Sequence, residues 1–168
     1  MSFLLSSDRL RLRPMNPDDI DEMAHLLGDA EVMAFYPRPK SRQEGENWIQ
    51  RNIDSYEQND FGLWVIELLA TGEFVGECGL TVQVVDGISE VELGYHVHTR
   101  FWSQGYATEA SLLCLEYART KLDLTRVIGL MVPENLASQR VAEKAGLSFD
   151  RYGDHNDNRD VVMKIEFS

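Results

Sequence analysis

Residues 89–110 read SEVELGYHVHTRFWSQGYATEA, and the order in which they change character decides the fold. From Glu90 to Val97 polar and apolar residues alternate. Glu90, Glu92, Gly94 and His96 share one face of a strand; Val91, Leu93 and Tyr95 share the other. The alternation stops before Gln104-Gly105. Beyond it, Ala110, Leu113, Cys114 and Tyr117 fall on one helical stripe. A strand therefore hands over to a helix through a glycine. A helix start leaves backbone N–H groups unpaired and carries roughly half a positive charge, which suits an anion. Gly105 serves either as loop punctuation or as the point where an anionic ligand meets bare backbone, with the small Ala107 two residues on. No Lys-Ser/Thr pair follows and no G-x-G-x-x-G is present, which disfavours nucleoside-triphosphate and dinucleotide sites.

Upstream of this stretch, FGLWVIELL meets FVGECGLTVQVV across Thr71-Gly72, and Asp86-Gly87 is a second hairpin turn. Nearer the N-terminus, DRLRLRPM alternates as a half-buried strand, with Leu10 and Leu12 inward and Arg9, Arg11 and Arg13 outward. Asn16-Pro17 caps a helix carrying Ile20, Met23, Ala24 and Leu27. Ser41 and Glu44 form a capping box for a second helix with Trp48, Ile49, Ile53 and Tyr56. Downstream, RVIGLMV is a short buried strand, NLASQRVAEKAG is a helix that stops at Gly146, and LSFDRY and RDVVMKIEF are closing strands. The order predicts an α/β (α+β) fold: one domain over 1–168 with a mixed, mostly antiparallel twisted sheet flanked by helices. Ligands in such sheets sit beyond the carboxyl ends of strands, which is where residues 98–108 begin.

The chain has 168 residues, 43% of them hydrophobic, which suits one domain with a real core. No apolar run is long enough for a membrane span. The N-terminal MSFLLSSDRL has no basic segment, so no signal peptide is expected. Cys78 and Cys114 match no metal or redox spacing and read as core; a reducing, cytoplasmic setting follows by default. The net charge of −12 disfavours a nucleic-acid partner and is compatible with a cationic substrate.

Three places could carry chemistry. The glycine loop is the first. Glu92 is the second: a carboxylate just before a strand glycine, able to take a proton directly or through water, or simply solvated with Glu90 on a wet sheet face. The third is PENLASQRVAEKAG, where Asn135 is a natural N-cap and Ser138 stands at the helix mouth without a His-Asp pair to activate it as a nucleophile.

WSQGYATEA, EVELGYHV and PENLASQRVAEKAG, in this order and spacing, resemble the GCN5-related N-acetyltransferases (GNAT), and more narrowly their RimJ/RimL-like ribosomal-protein-alanine acetyltransferase branch. DRLRLRPMNPDDIDEMAHLL and PRPKSRQEGENWI are similar to that branch too, so the resemblance runs from about residue 7 to 167. It implies acetyl-CoA as cosubstrate and no metal. By that likeness the pyrophosphate sits on the amides of Gln104, Gly105, Tyr106, Ala107 and Thr108. The pantetheine pairs with the backbone of Tyr95, His96 and Val97, opened by a bulge near Gly94. Asn135 resembles the residue near the pantetheine. Trp102 replaces the Gln or Arg common three residues before the glycine, as in the RimJ/RimL-like branch. Arg100 and Arg140 are candidates for the 3′-phosphate, though a solvated surface arginine is the stronger reading of each.

Acetyl transfer then needs a neutral amine, donors for the thioester oxygen and a proton for the thiolate. Glu92 is the expected general base, a backbone amide of residues 95–97 the expected oxygen donor, and Ser138 the expected acid. His96 is a weaker second base. The acidic turn DHNDN, 154–158, faces a cationic acceptor or merely solvates its loop. The branch suggests a protein N-terminal α-amine as acceptor. A small amine (antibiotic, polyamine or amino-acid-like) and a non-catalytic acyl-CoA-binding module are the alternatives. No nucleic-acid or membrane partner is expected, and a homodimer is compatible.

Overall fold

Asp86 and Gly87 take φ of 51° and 77°. Positive φ at both central positions matches the right-handed twist of the strands they join, β4 (Phe74–Val85) and β5 (Ile88–Val97). A computed structural model describes residues 5–168; part of the N-terminal apolar patch, Met1 to Leu4, lies outside the described residues. Before β4 come β1 (Leu5–Ser6), β2 (Leu10–Arg13), α1 (Ile20–Gly28), α2 (Arg42–Asn59) and β3 (Leu63–Leu68). After β5 come α3 (Tyr106–Thr120), β6 (Arg126–Met131), α4 (Leu136–Ala145), β7 (Ser148–His155) and β8 (Asn158–Glu166).

The predicted caps form. Asn16 accepts from the Asp18 N–H at 2.8 Å and opens a single 3-10 turn that runs into α1. The Ser41 hydroxyl accepts from the Glu44 N–H and the Glu44 carboxylate from the Ser41 N–H, so both orphan donors at the start of α2 are met. Gly146 closes α4 at φ 106°.

The eight strands form one sheet in the order β1-β2-β3-β4-β5-β6-β8-β7. Every neighbouring pair is antiparallel except β5 and β6. One face packs on α3 and α4: Leu80, Leu93, Val97, Val127 and Met163 meet Ala110, Cys114, Leu115 and Ala142. On the other face Leu63, Val65 and Phe74 meet Met23, Leu26 and Leu27 of α1 and Ile49 of α2; burying each aliphatic side chain contributes about 1.5–3 kcal/mol. Cys78 and Cys114 are free thiols inside the first core, 3.6 Å apart.

One expectation needs correction. The β4–β5 register runs without a shift from Val85↔Ile88 to Gly76↔Val97, with Gly79 opposite Gly94, so no bulge opens β5 near Gly94. The opening lies on the strand's other edge. There β5 and β6 pair through Glu92↔Ile128 alone, after which the two parallel strands part. Two parallel strands can diverge because no hairpin ties their ends. The edge of β5 beyond Glu92 keeps its backbone groups out of any β6 ladder.

Candidate active site

The wedge between β5 and β6 is the centre of the site. Tyr36, Glu92, Gly94, Tyr95, Met131 and Ser138 are among the residues lining a cavity at its apex. It brings together three residues singled out from sequence, Glu92, Tyr95 and Ser138, that lie on β5 and α4. The glycine loop and Asn135 do not line this cavity; they stand at the starts of α3 and α4.

Glu92 points to the α1–α2 face, half-buried, and accepts a hydrogen bond from Thr81 Oγ1 at 3.2 Å. Thr81 in turn accepts from Gln83 Nε2 at 3.2 Å. Burial pushes the Glu92 carboxyl up to about 7, against the smaller lowering effects of the Thr81 and Gln83 hydrogen bonds. A carboxylate in that range exchanges its proton near neutrality. Glu90, two residues earlier on the same face, is different: it holds Arg126 at 3.0 Å, and Arg126 also meets Asp150 at 3.2 Å. The wet-face alternative thus suits neither carboxylate. One is paired, and the other is set into the wedge.

His96 is buried and pinned at both ring nitrogens. Nδ1 lies 2.7 Å from Glu77 Oε2, and Nε2 lies 3.0 Å from the Tyr36 hydroxyl. Glu77 is fully buried and also accepts from Trp48 Nε1 at 2.8 Å. Glu77 can only accept, so the pattern suits a histidine with its proton on Nδ1 and its Nε2 accepting from Tyr36. The His96 side chain is therefore engaged in orienting Tyr36 rather than standing free as a base. Nothing in the sequence around Tyr36 or Glu77 marks them for this site; both arrive through tertiary packing of the 29–41 loop and of β4.

Tyr95 crosses the wedge. Its hydroxyl donates to the Ser138 carbonyl at 2.8 Å and lies 2.9 Å from Ser138 Oγ. With its own proton given to the carbonyl, the phenol oxygen accepts from the Ser138 hydroxyl. Burial raises the Tyr95 pKa, so the phenol stays protonated. Two hydroxyl groups thus meet at the mouth of α4. The Asn135 side chain accepts from the Ser138 N–H at 3.2 Å, the capping role read from sequence.

At the other end of β5, Gly105 takes φ 82° as the residue before α3 and supplies no side chain to cap it. The first N–H groups of α3 are therefore left without a side-chain acceptor. A Cβ at Gly105 would need the left-handed region and would stand 3.3 Å from Arg9 Nη2. Trp102 Nε1 donates to the Val97 carbonyl at 2.8 Å and ties the loop to the end of β5. Arg9 is the cation beside this loop, donating to the Gln104 carbonyl at 2.9 Å, pairing with Glu109 at 3.0 Å and lying over the Tyr106 ring. Sequence alternation placed Arg9 on an outward face without showing that α3 starts next to it. Arg100 instead pairs with Glu73 at 3.3 Å.

The turn expected over 154–158 is only residues 156–157; Asp154 lies in β7, opposite Arg159 of β8, and pairs with it at 2.8 Å. Among the described residues, no helix is long and apolar enough to cross a membrane.

The acetyltransferase (GNAT) domain family model matches residues 9–148. An uncharacterized protein of Bacillus subtilis (strain 168), YkkB, is 35% identical over 148 residues, covering 88% of this chain and 86% of that one. The crystal structure of an acetyltransferase from Agrobacterium tumefaciens str. C58 superposes with a TM-score of 0.87 at 23% identity, over 99% of this chain and 95% of that one. RimL, a ribosomal L7/L12 α-N-protein acetyltransferase solved in complex with coenzyme A, superposes with a TM-score of 0.76 at 16% identity, over 97% of this chain and 96% of that one.

Proposed function

The chain belongs to the GNAT acetyltransferase family and is an N-acetyltransferase; on that premise we propose that it moves an acetyl group from acetyl-CoA to the α-amine of a protein N-terminus by direct attack. The observation that carries this is the wedge. An unpaired strand edge runs from a carboxylate of pKa about 7 toward a helix start with uncapped N–H groups.

The residues present fit acetyl-CoA. A pyrophosphate needs backbone donors and close approach, and the amides of Gln104 to Thr108 around Gly105 provide both. An amide-bearing pantetheine needs strand-like partners; Tyr95 and Val97 turn theirs to the open edge, while those of His96 face Glu77 of β4. Arg9, beside the glycine loop, joins Arg100 and Arg140 as a candidate cation for the phosphates. Asn135, which caps α4, is assigned to the pantetheine by family likeness.

Glu92 acts as general base, directly or through one water. An α-ammonium has a pKa of about 8 and a lysine of about 10.4. Proton transfer to a base near 7 is therefore uphill by about 1 unit for the α-amine and about 3.4 units for lysine, or roughly 1.4 against 4.6 kcal/mol. This difference supports an α-amine over a lysine side chain. The neutral amine adds to the thioester carbonyl and a backbone N–H of β5 steadies the oxygen; as the C–S bond breaks, the thiolate takes a proton from the Ser138 hydroxyl, which is restored by the second proton that the amine nitrogen gives up on becoming an amide. The Tyr95 phenol oxygen holds the Ser138 hydroxyl by accepting from it until that proton turns to the thiolate. No covalent enzyme intermediate is required.

A panel tests this. With acetyl-CoA, short peptides bearing a free N-terminus are expected to release CoA faster than the same peptides blocked at the N-terminus with a free lysine. Preference for polyamines or aminoglycosides would move the acceptor to the small-amine class. Binding of CoA with no turnover on any amine would leave an acyl-CoA-binding module.

A further inference from the structure

On the α1 side of the sheet, just beyond the end of β5, two histidines and a carboxylate converge. We propose that Glu22, His25 and His98 form a binding site for one divalent transition-metal ion, of which Zn2+ is the natural probe. The sequence offers no hint of it, because His98 is 73 positions from His25 and only the packing of α1 against the end of β5 joins them.

The geometry is that of a half-assembled site. Glu22 and His25 stand three residues apart on α1 and so share a face. His98 follows β5; its side chain is 5% exposed, its ring edge-on to Phe74 at 5.5 Å. His98 Nε2 lies 3.3 Å from Glu22 Oε2, and the His25 and His98 ring centroids are 4.9 Å apart. One ligand atom from each of the three residues lies within 4.8 Å of the others. Donors bound to a tetrahedral ion at about 2.0–2.1 Å stand roughly 3.3–3.4 Å from one another. The Glu22–His98 pair is already at that spacing. His25 is exposed, so a side-chain rotation brings it in without disturbing the core.

Two imidazoles and one carboxylate are a donor set for Zn2+, and also for Cu2+ or Ni2+, rather than for Ca2+ or Mg2+. One donor is fixed by burial and two are mobile at the surface, so the ordering cost falls on only two side chains. An ion held here would clamp α1 to residue 98, which opens the 3-10 turn Thr99–Phe101 leading into the glycine loop. The inference does not depend on the acetyl-transfer reading.

The test uses the full chain stripped with chelator and dialysed, titrated with ZnCl2 by calorimetry and followed by thermal denaturation. Wild type is expected to bind one ion per chain and to gain thermal stability as Zn2+ rises. His25→Ala and Glu22→Gln, both at exposed positions, should fold as wild type does and bind at least about 10-fold more weakly, since losing a direct ligand costs no less than losing an outer partner. His155→Ala, on the β7–β8 hairpin, should bind like wild type. Wild-type affinity in both His25→Ala and Glu22→Gln, or no stabilisation by Zn2+ up to about 1 mM, overturns the site.

Discussion

Tyr95 and Ser138 divide one task between two hydroxyls. The Tyr95 proton is committed to the Ser138 carbonyl, which leaves the Ser138 proton as the one free to turn toward a leaving thiolate. Ser138→Ala is therefore expected to lower kcat by about 10²-fold, the low end for losing a general acid, with the KM for acetyl-CoA nearly unchanged. Tyr95→Phe should lower kcat less, because Ser138 keeps its hydroxyl and loses only a partner. Steady-state kinetics of the two variants decide it: the opposite order would give the acid role to Tyr95. Glu92 follows from its surroundings in the same way. Because the folded protein holds its proton more tightly than an unfolded chain with a carboxyl near 4.5, this group favours the fold most at low pH. That contribution is lost as pH rises through about 7. The same ionisation that costs stability creates the base.

At the scale of elements, the start of α3 carries the cofactor argument. Gly105→Val forces a β-branched residue to φ 82°, where L-residues cost roughly 1–2 kcal/mol, and sets its Cβ against Arg9. The expected outcome is a KM for acetyl-CoA raised by about 10-fold, the equivalent of about 1.4 kcal/mol, with the acceptor KM little moved. An equal rise in both would mean the loop shapes the site as a whole rather than the phosphate end. Turns and caps were the elements most legible in the sequence. Asp86-Gly87, Asn16, Ser41-Glu44 and Gly146 act through neighbours three or four residues away, so local chemistry decides them. The two-residue β1 carried no pattern of its own and exists only by pairing with β2. The parting of β5 and β6 was illegible as well. Nothing in EVELGYHV says that only Glu92 will pair across, and a bulge at Gly94 was the nearest local explanation for an open backbone. Tyr36, Glu77 and Arg9 join the site through contacts 60, 19 and 95 positions apart in sequence, to His96, His96 and Gln104, beyond the reach of periodicity.

Across the whole molecule, one sheet holds the parts in register. Its α3–α4 face is a continuous apolar core, while its α1–α2 face exchanges apolar contact for polar groups where Glu92, His96 and Glu77 stand. The strand order makes β5 central, so its carboxyl end reaches the glycine loop and its middle carries Glu92, the proposed base. The net charge of −12 adds a field that favours cationic acceptors over anionic ones. On the proposed reading, Glu92, its carboxyl raised to about 7 at the apex of the wedge, is the proton acceptor for the amine. The most direct measurement is the pH dependence of kcat for acetyl transfer to a peptide α-amine, in wild type and in Glu92→Gln. The base works only when ionised, so wild-type kcat should fall as pH drops through about 7. Glu92→Gln should be slower by about 10²-fold or more and flat over that range, with acetyl-CoA affinity retained. A variant that keeps the wild-type rate and the wild-type inflection would contradict the account.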